Sequence, residues 1–385
     1  MYSSVFLLAA VAYVFLAIFL FFSLPGSWRR NSLFMAILIL WQLVGLTSIV
    51  LVFTVFRDIP YEGIRYEICR VGSMYYITTT IQAILFAIRA VSSRTYLFIA
   101  RHTDFPIRLQ GERRVSDKRF HAVLIIVLSF VLFFIGFFNI DFLHDTRYEV
   151  SIPANTQEKE LNICLIADIH AGAGTWEYTY DDMEMLINNA NPDVLLIAGD
   201  VFDETTGVQD IENFAWVLQT IRQPRYGIYF VYGNHDSIYK DWAGEKMRAA
   251  GAIVLKDEMT LIGEDIQLIG CMDPKHQAKS PEELFRDCAP DPSKPILVLT
   301  HRPSHFSRMA RLGCDLVMAG HTHGFNIPQF LGSALLGDMY SGIKQYGEMD
   351  AVTTSGVSAW GFHYKWPAIS EVVTIHVTFT GDAGE

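Results

Sequence analysis

Leu161-Asn162-Ile163-Cys164-Leu165-Ile166-Ala167-Asp168-Ile169-His170 is the stretch on which the fold turns. A short apolar run stops at an aspartate and a histidine, as a buried strand does when it reaches a polar edge. The pattern recurs: Val194–Ala198 runs into Gly199-Asp200, and Ile228–Tyr232 into Gly233-Asn234-His235-Asp236. Ile296–Thr300 then runs into His301, and Leu316–Ala319 into Gly320-His321-Thr322-His323. Further strands are expected at Tyr148–Ile152, Ile253–Leu255, Ile266–Cys271 and Val372–Thr378. Helices are expected at Thr179–Asn189, Asp210–Ile221, Asp241–Ala250, Pro281–Arg286 and Ser304–Leu312, where cap-like or acidic starts precede apolar spacing. Strands alternating with helices give an α/β fold. In open α/β sheets ligands bind outside the carboxyl ends of the strands, so five polar strand ends are expected to line one crevice.

Imidazoles and carboxylates with almost no cysteine suit borderline divalent metals such as Mn, Fe, Zn or Ni. Polar side chains gathered at the ends of apolar strands require something to coordinate and neutralise them, because an uncompensated buried charge is costly.

The order Asp-x-His, Gly-Asp, Gly-Asn-His-Asp, His, Gly-His-Thr-His, spread from Asp168 to His323, resembles the calcineurin-like metallophosphoesterase superfamily. Within it the chain is similar to membrane-anchored bacterial phosphohydrolases, which place a multi-pass transmembrane segment ahead of the catalytic domain. The strand Tyr148–Ile152 and the turn Thr354-Ser355-Gly356-Val357-Ser358 add to the likeness. The resemblance implies a four-layer αββα sandwich, preceded here by an all-α transmembrane domain, and two divalent metal ions. Asp168, His170 and His323 would hold one ion, Asn234, His301 and His321 the other, and Asp200 would bridge them. It further implies that a phosphomonoester, phosphodiester or pyrophosphate bond is hydrolysed by a metal-bridged hydroxide. His235 would protonate the leaving oxygen, with Asp236 as its orienting partner.

Two departures bear on substrate. Relatives commonly follow the last block with Gly-Gly-Gln, whereas Gly324 is followed here by Phe325-Asn326. Where relatives tend to have an arginine after the glycine turn, this chain has Phe362-His363-Tyr364-Lys365-Trp366, read first as packed aromatics and second as a substrate or headgroup contact. Asp203 and Glu204 follow Asp200 closely and are expected to be helix-cap or solvated turn residues, with adjustment of the metal site's charge as the alternative. Walker-type glycine loops, Gly-x-Ser-x-Gly elbows and dinucleotide fingerprints are absent from the sequence.

Working outward, the chain is 385 residues long and 51% hydrophobic, with a net charge of −11. Its mean hydropathy of +0.24 is too apolar for a wholly soluble or disordered chain. Residues 1–140 hold 13 Lys and Arg against 6 Asp and Glu, whereas residues 141–385 hold 17 against 35. A transmembrane domain over 1–140 and one catalytic domain over 141–385 follow from that shift. The strongly acidic second half excludes nucleic acid as a partner.

Four apolar stretches, near 4–24, 33–56, 71–91 and 120–138, each approach the roughly 20 residues a helix needs to cross hydrocarbon. The third is the most polar, with Thr78, Thr79, Thr80 and Gln82, and is expected to pack against its neighbours more than lipid. Arg29 and Arg30 occupy the first connection, Arg57, Arg65 and Arg70 the second. Arg94, Arg101, Arg108, Arg113, Arg114, Lys118 and Arg119 occupy the third. By the positive-inside rule the first and third connections are cytoplasmic, and the catalytic domain faces the periplasm or exterior. The five cysteines form no CxxC pair and are read as packed thiols, with a Cys288 disulfide as the alternative.

The expectation is a membrane-anchored dinuclear-metal phosphoesterase acting on a lipid-linked or membrane-proximal substrate, with membrane lipids as partners. A receptor or scaffold using a non-catalytic domain of the same fold, and a protein phosphatase, are the alternatives.

Overall fold

The computed structural model describes residues 2–53, 64–102, 118–172, 175, 178–204, 206–236, 241–276, 278–326, 341–361 and 363–381. They form two compact units, one of Met1–Phe138 with Phe362–Tyr364 and one of Asn139–Gly361 with Lys365–Glu385.

The first unit is helical: α1 (Tyr2–Ser23), α2 (Ser32–Phe53), α3 (Ile64–His102) and α4 (Lys118–Asn139). Among the described residues, Ser32–Leu51, Glu67–Tyr96 and Lys118–Asn139 are long and apolar enough to cross a membrane, and Ala10–Ser23 is a shorter apolar helix. The stretch expected at 71–91 lies inside the 39-residue α3. There Thr78 and Thr79 are buried and Gln82 nearly so. Small and polar residues at such positions allow helices to approach closely. On α4, Val123, Leu124, Val127, Val131 and Phe134 are exposed, as lipid-facing residues would be. Arg57, Arg108, Arg113 and Arg114 lie outside the described residues.

The second unit is a mixed α/β sandwich. One sheet runs β1-β12-β2-β3-β4-β5, from Leu143–Ile152, Ser370–Phe379, Glu160–Ile166, Val194–Ile197, Ile228–Phe230 and Ile253–Val254. The other runs β10-β11-β9-β8-β7-β6, from Gly342–Tyr346, Met349–Thr353, Leu316–Ala319, Ile296–Leu299, Ile266–Gly270 and Glu258–Ile262. Alternation along the central strands produces the layers. In β2, Ile163 and Leu165 join a core shared with Leu268, Leu297 and Leu316 of the other sheet. Cys164 and Ile166 point the other way, into a core with α5 (Thr179–Ala190), α6 (Val208–Thr220) and α7 (Asp241–Ala249). On the second sheet, Val298 and Val317 pack outward with residues of α8 (Pro281–Cys288) and α9 (Phe306–Arg311). Both faces of each sheet are therefore dry, which is why the strands are continuous apolar runs.

β2, β3 and β4 are parallel neighbours, as are β7, β8 and β9. Their carboxyl ends deliver the polar blocks to the same edge. Three strands escape the sequence reading: β6, β10 and β11. β6 and β10 are edge strands with few buried residues, and carry no apolar run to betray them.

Candidate metal centre

The seven residues implicated as metal ligands meet at that edge. Asp168, His170 and His323 form one group and Asp200, His301 and His321 another, each with its donor atoms within 4.8 Å of one another. His170 Nε2 lies 3.3 Å from His323 Nε2, and His323 Nε2 lies 3.6 Å from Asp168 Oδ1. In the second group His301 Nε2 is 3.1 Å from His321 Nδ1 and 3.3 Å from Asn234 Oδ1. Asp200 Oδ2 stands between the groups, 3.1 Å from His301 Nε2 and 4.0 Å from His170 Nε2.

Local chain geometry explains how. Asp168, His170, Asp200, His321 and His323 all have positive φ, between 45° and 76°. This left-handed region tolerates Asp and His better than bulky residues and turns each side chain sharply off its strand. Two glycines let the loops meet. A Cβ on Gly199 would sit 2.4 Å from Gly233 N, and one on Gly233 would sit 2.2 Å from Asp200 Oδ1.

The donor set fits a pair of divalent cations. Asp168 Oδ1 is a buried carboxylate oxygen with no hydrogen-bond partner among the described residues. Facing imidazole nitrogens at 3.1–3.3 Å, with carboxylate oxygens beside them, are placed to share a cation. Three rings are also fixed from behind. His170 Nδ1–H donates to Asp203 Oδ2 at 3.1 Å, His301 Nδ1–H to Ala198 O at 2.7 Å, and His323 Nδ1–H to Ser358 O at 3.2 Å. Each bond sets the tautomer that presents Nε2 to the centre, the arrangement metal-ligating histidines use.

Burial and charge polarise the cluster. Burial works to raise Asp200, but His301, by charge and hydrogen bond, overcomes it and holds the carboxyl well below the usual range. Burial alone would lower His301, yet Asp200 pushes it up to about 10. Asp168 is raised by burial, and His321 is pushed down to about 3 by burial and then by His301.

Residues 161–325 match the family model of the calcineurin-like phosphoesterases. Residues 161–325 carry a calcineurin-like phosphoesterase domain. The chain is 27% identical over 287 residues to a Campylobacter jejuni metallophosphoesterase, covering 70% of this chain and 74% of that one. It is 28% identical over 251 residues to the zebrafish "transmembrane protein with metallophosphoesterase domain", covering 59% and 56% of the two chains. A solved structure from Thermus thermophilus is 12% identical, with a TM-score of 0.37 over 51% of this chain and 89% of that one. The family's enzymes are metal-dependent hydrolases acting on phosphoesters.

Around the candidate metal centre, several residues differ from their sequence-based reading. Asp236 is expected to orient His235. Its carboxylate instead accepts the backbone N–H groups of Asp200, Val201, Phe202 and Gly233 at 2.8–3.1 Å, clamping the Gly199 and Gly233 turns together. Both oxygens are thereby occupied, and the ring of His235 goes to Glu204, with Nδ1 3.2 Å from Oε2. His235 N–H also donates to Asp200 Oδ1 at 2.6 Å. Trp360 Nε1–H donates to the other Glu204 oxygen at 3.2 Å, and its ring centroid lies 5.1 Å from that of His235. Asp203, read as a solvated turn residue, is buried behind His170.

Lys365, read as part of an aromatic edge cluster, is fully buried. Its Nζ donates to the carbonyls of Ser355, Gly356 and Ser358 at 2.7–2.8 Å. Ser358 in turn holds His323 through its carbonyl, and through its hydroxyl it donates to the carbonyls of Asp168 and Ile169. His363 N–H donates to Ser73 within the helical unit, and Phe362 lies outside the described residues. The side chains of Phe325 and Asn326 also lie outside them.

Proposed function

We propose that the chain is a membrane-anchored phosphoesterase that cleaves a phosphomonoester, phosphodiester or pyrophosphate bond in a lipid-linked or membrane-proximal substrate. Asp168, His170 and His323 would hold one divalent cation and Asn234, His301 and His321 another, with Asp200 shared. When bound, such a pair supplies Lewis acidity toward phosphoryl oxygens and acidifies a water at the site. The observation that carries the reading is Asp200 Oδ2, which stands within 4.0 Å of an Nε2 from each group.

The protein's own residues do the rest. Asp203 and the carbonyls of Ala198 and Ser358 keep three imidazoles aimed before substrate arrives, so no reorganisation is needed in the reaction. Glu204 takes Nδ1 of His235, leaving Nε2 to deliver a proton to the leaving oxygen. Trp360 covers one side of that imidazole and limits the water that competes for it.

The anchoring half of the proposal is supported by the apolar helices of the first unit. With all four helices crossing, the nine basic residues of the first and third connections would lie in the cytoplasm and the catalytic unit outside.

The test is hydrolysis of bis(p-nitrophenyl) phosphate and p-nitrophenyl phosphate by the full-length protein in detergent, stripped of metal and then given manganese, zinc, iron or magnesium. Metal-dependent turnover is expected, falling at least about 100-fold in Asp200→Ala and in Asn234→Ala. Turnover that survives either change would sink the assignment.

A further inference from the structure

One group of charges beside the centre has no part in the reaction described above. Beyond the end of β7, Cys271 and Met272 carry the chain to Asp273, whose side chain is 0% exposed. Asp273 Oδ1 accepts the Lys275 N–H at 2.9 Å, and Oδ2 accepts Arg302 Nε at 2.5 Å. Arg302 directly follows His301, and 31% of its side chain remains open to solvent. Its two Nη nitrogens have no protein partner among the described residues. Its charge reaches the centre, adding to the depression of His321. Lys275 is exposed, and its Nζ donates to the carbonyl of Asn234 at 3.4 Å. Two cations thus flank the Asn234, His301 and His321 set, with one carboxylate between them.

An ion pair that served the fold alone would be expected to spend the whole guanidinium on protein acceptors. Here the buried carboxylate holds only Nε, fixing the fork in place while its outer donors stay open. A pre-ordered arginine fork loses little entropy on meeting an oxyanion, and phosphate is the group its geometry suits. The adjoining Lys275 adds a point charge that no carboxylate among the described residues pairs. Around His235 the surroundings differ: Glu204 and Trp360 give that imidazole a carboxylate and an aromatic ring.

We propose that Arg302 and Lys275 form a subsite for a second phosphoryl group of the substrate, making this site one for diphosphate-type substrates. The inference rests on the phosphoesterase reading above and narrows it: the scissile phosphoryl sits at the metal ligands, and its neighbour is held by Arg302 and Lys275.

The experiment uses the full-length, manganese-loaded protein in detergent and two probes that differ by one phosphoryl. These are adenosine monophosphate and the non-hydrolysable α,β-methylene adenosine diphosphate, titrated by calorimetry. In the wild type the diphosphate analogue is expected to bind at least about tenfold more tightly. That ratio should collapse toward one in Arg302→Gln, fall part-way in Arg302→Lys, and fall in Lys275→Gln, where an exposed side chain puts folding at no risk. A ratio near one in the wild type, or one unaltered in both Arg302→Gln and Lys275→Gln, overturns the proposal. Because the readout is binding, an intact ratio in a protein that hydrolyses no ester counts against the catalytic reading alone.

Discussion

Five metal-centre residues hold left-handed backbone that non-glycine residues adopt at a cost of order 1 kcal/mol each. Hydrogen bonds from neighbouring loops hold them there: Asp168 N–H to Gly199 O, His170 N–H to Asp200 O and His321 N–H to Asp168 Oδ2, at 2.7–3.1 Å. The ring partners should matter almost as much as the ligands. Asp203→Asn is expected to weaken metal binding about 10- to 100-fold, measured by competition with a chromogenic chelator. Protonation gives a second expectation at this scale. Asp200 raises His301 to about 10, so in the metal-free fold this imidazole carries its proton through neutral pH. A ligand must shed that proton to bind a cation, so affinity should rise with pH up to about 10 and fall as pH drops. The same raised value contributes stability to the metal-free fold that is full below pH 6.5 and lost as pH rises toward 10. Calorimetric metal titrations at pH 7 in buffers of different ionisation enthalpy should show proton release; an enthalpy independent of buffer would contradict the assigned state.

At the scale of elements, the central strands are legible because both their faces are buried, and an apolar run ending in Asp, Asn or His needs no partner to be noticed. The helix starts are legible for an equally local reason: at α8, Ser280 and Glu283 cap each other, with Ser280 N–H donating to Glu283 Oε2 at 2.9 Å and Glu283 N–H to Ser280 Oγ at 3.4 Å. The turn at residues 354–358 is different, because it is held by Lys365, whose role no local pattern announces. Lys365→Met would leave three carbonyls without their donor, and is expected to cost about 3 kcal/mol, seen as a melting temperature lower by roughly 5–10 °C. Unchanged melting would mean that water replaces the ammonium without loss.

The molecule as a whole joins an apolar, basic helical unit to an acidic α/β unit, and the charge division between residues 1–140 and 141–385 was visible in composition alone. The outward placement proposed above predicts that a cysteine introduced at the exposed position of Ser293 reacts with a membrane-impermeant maleimide in spheroplasts of an expressing bacterium. Labelling that requires lysis would place the unit in the cytoplasm and reverse the orientation argued from Arg and Lys.

By itself the sequence determined the α/β class, the strands that end at the crevice and the polar blocks that meet there, because each of these depends on short-range pattern: apolar run, glycine, polar end. The seven ligand candidates among them came from the family resemblance. Only the tertiary structure decided what stands behind them. Glu204 and Trp360 are 156 residues apart, Asp203 backs a histidine 33 residues before it, and Arg302 is anchored by an aspartate 29 residues before it. Such partners are chosen by which strand ends pack side by side, and that choice is made by burial of the whole core, which leaves no local mark on the residues it brings together.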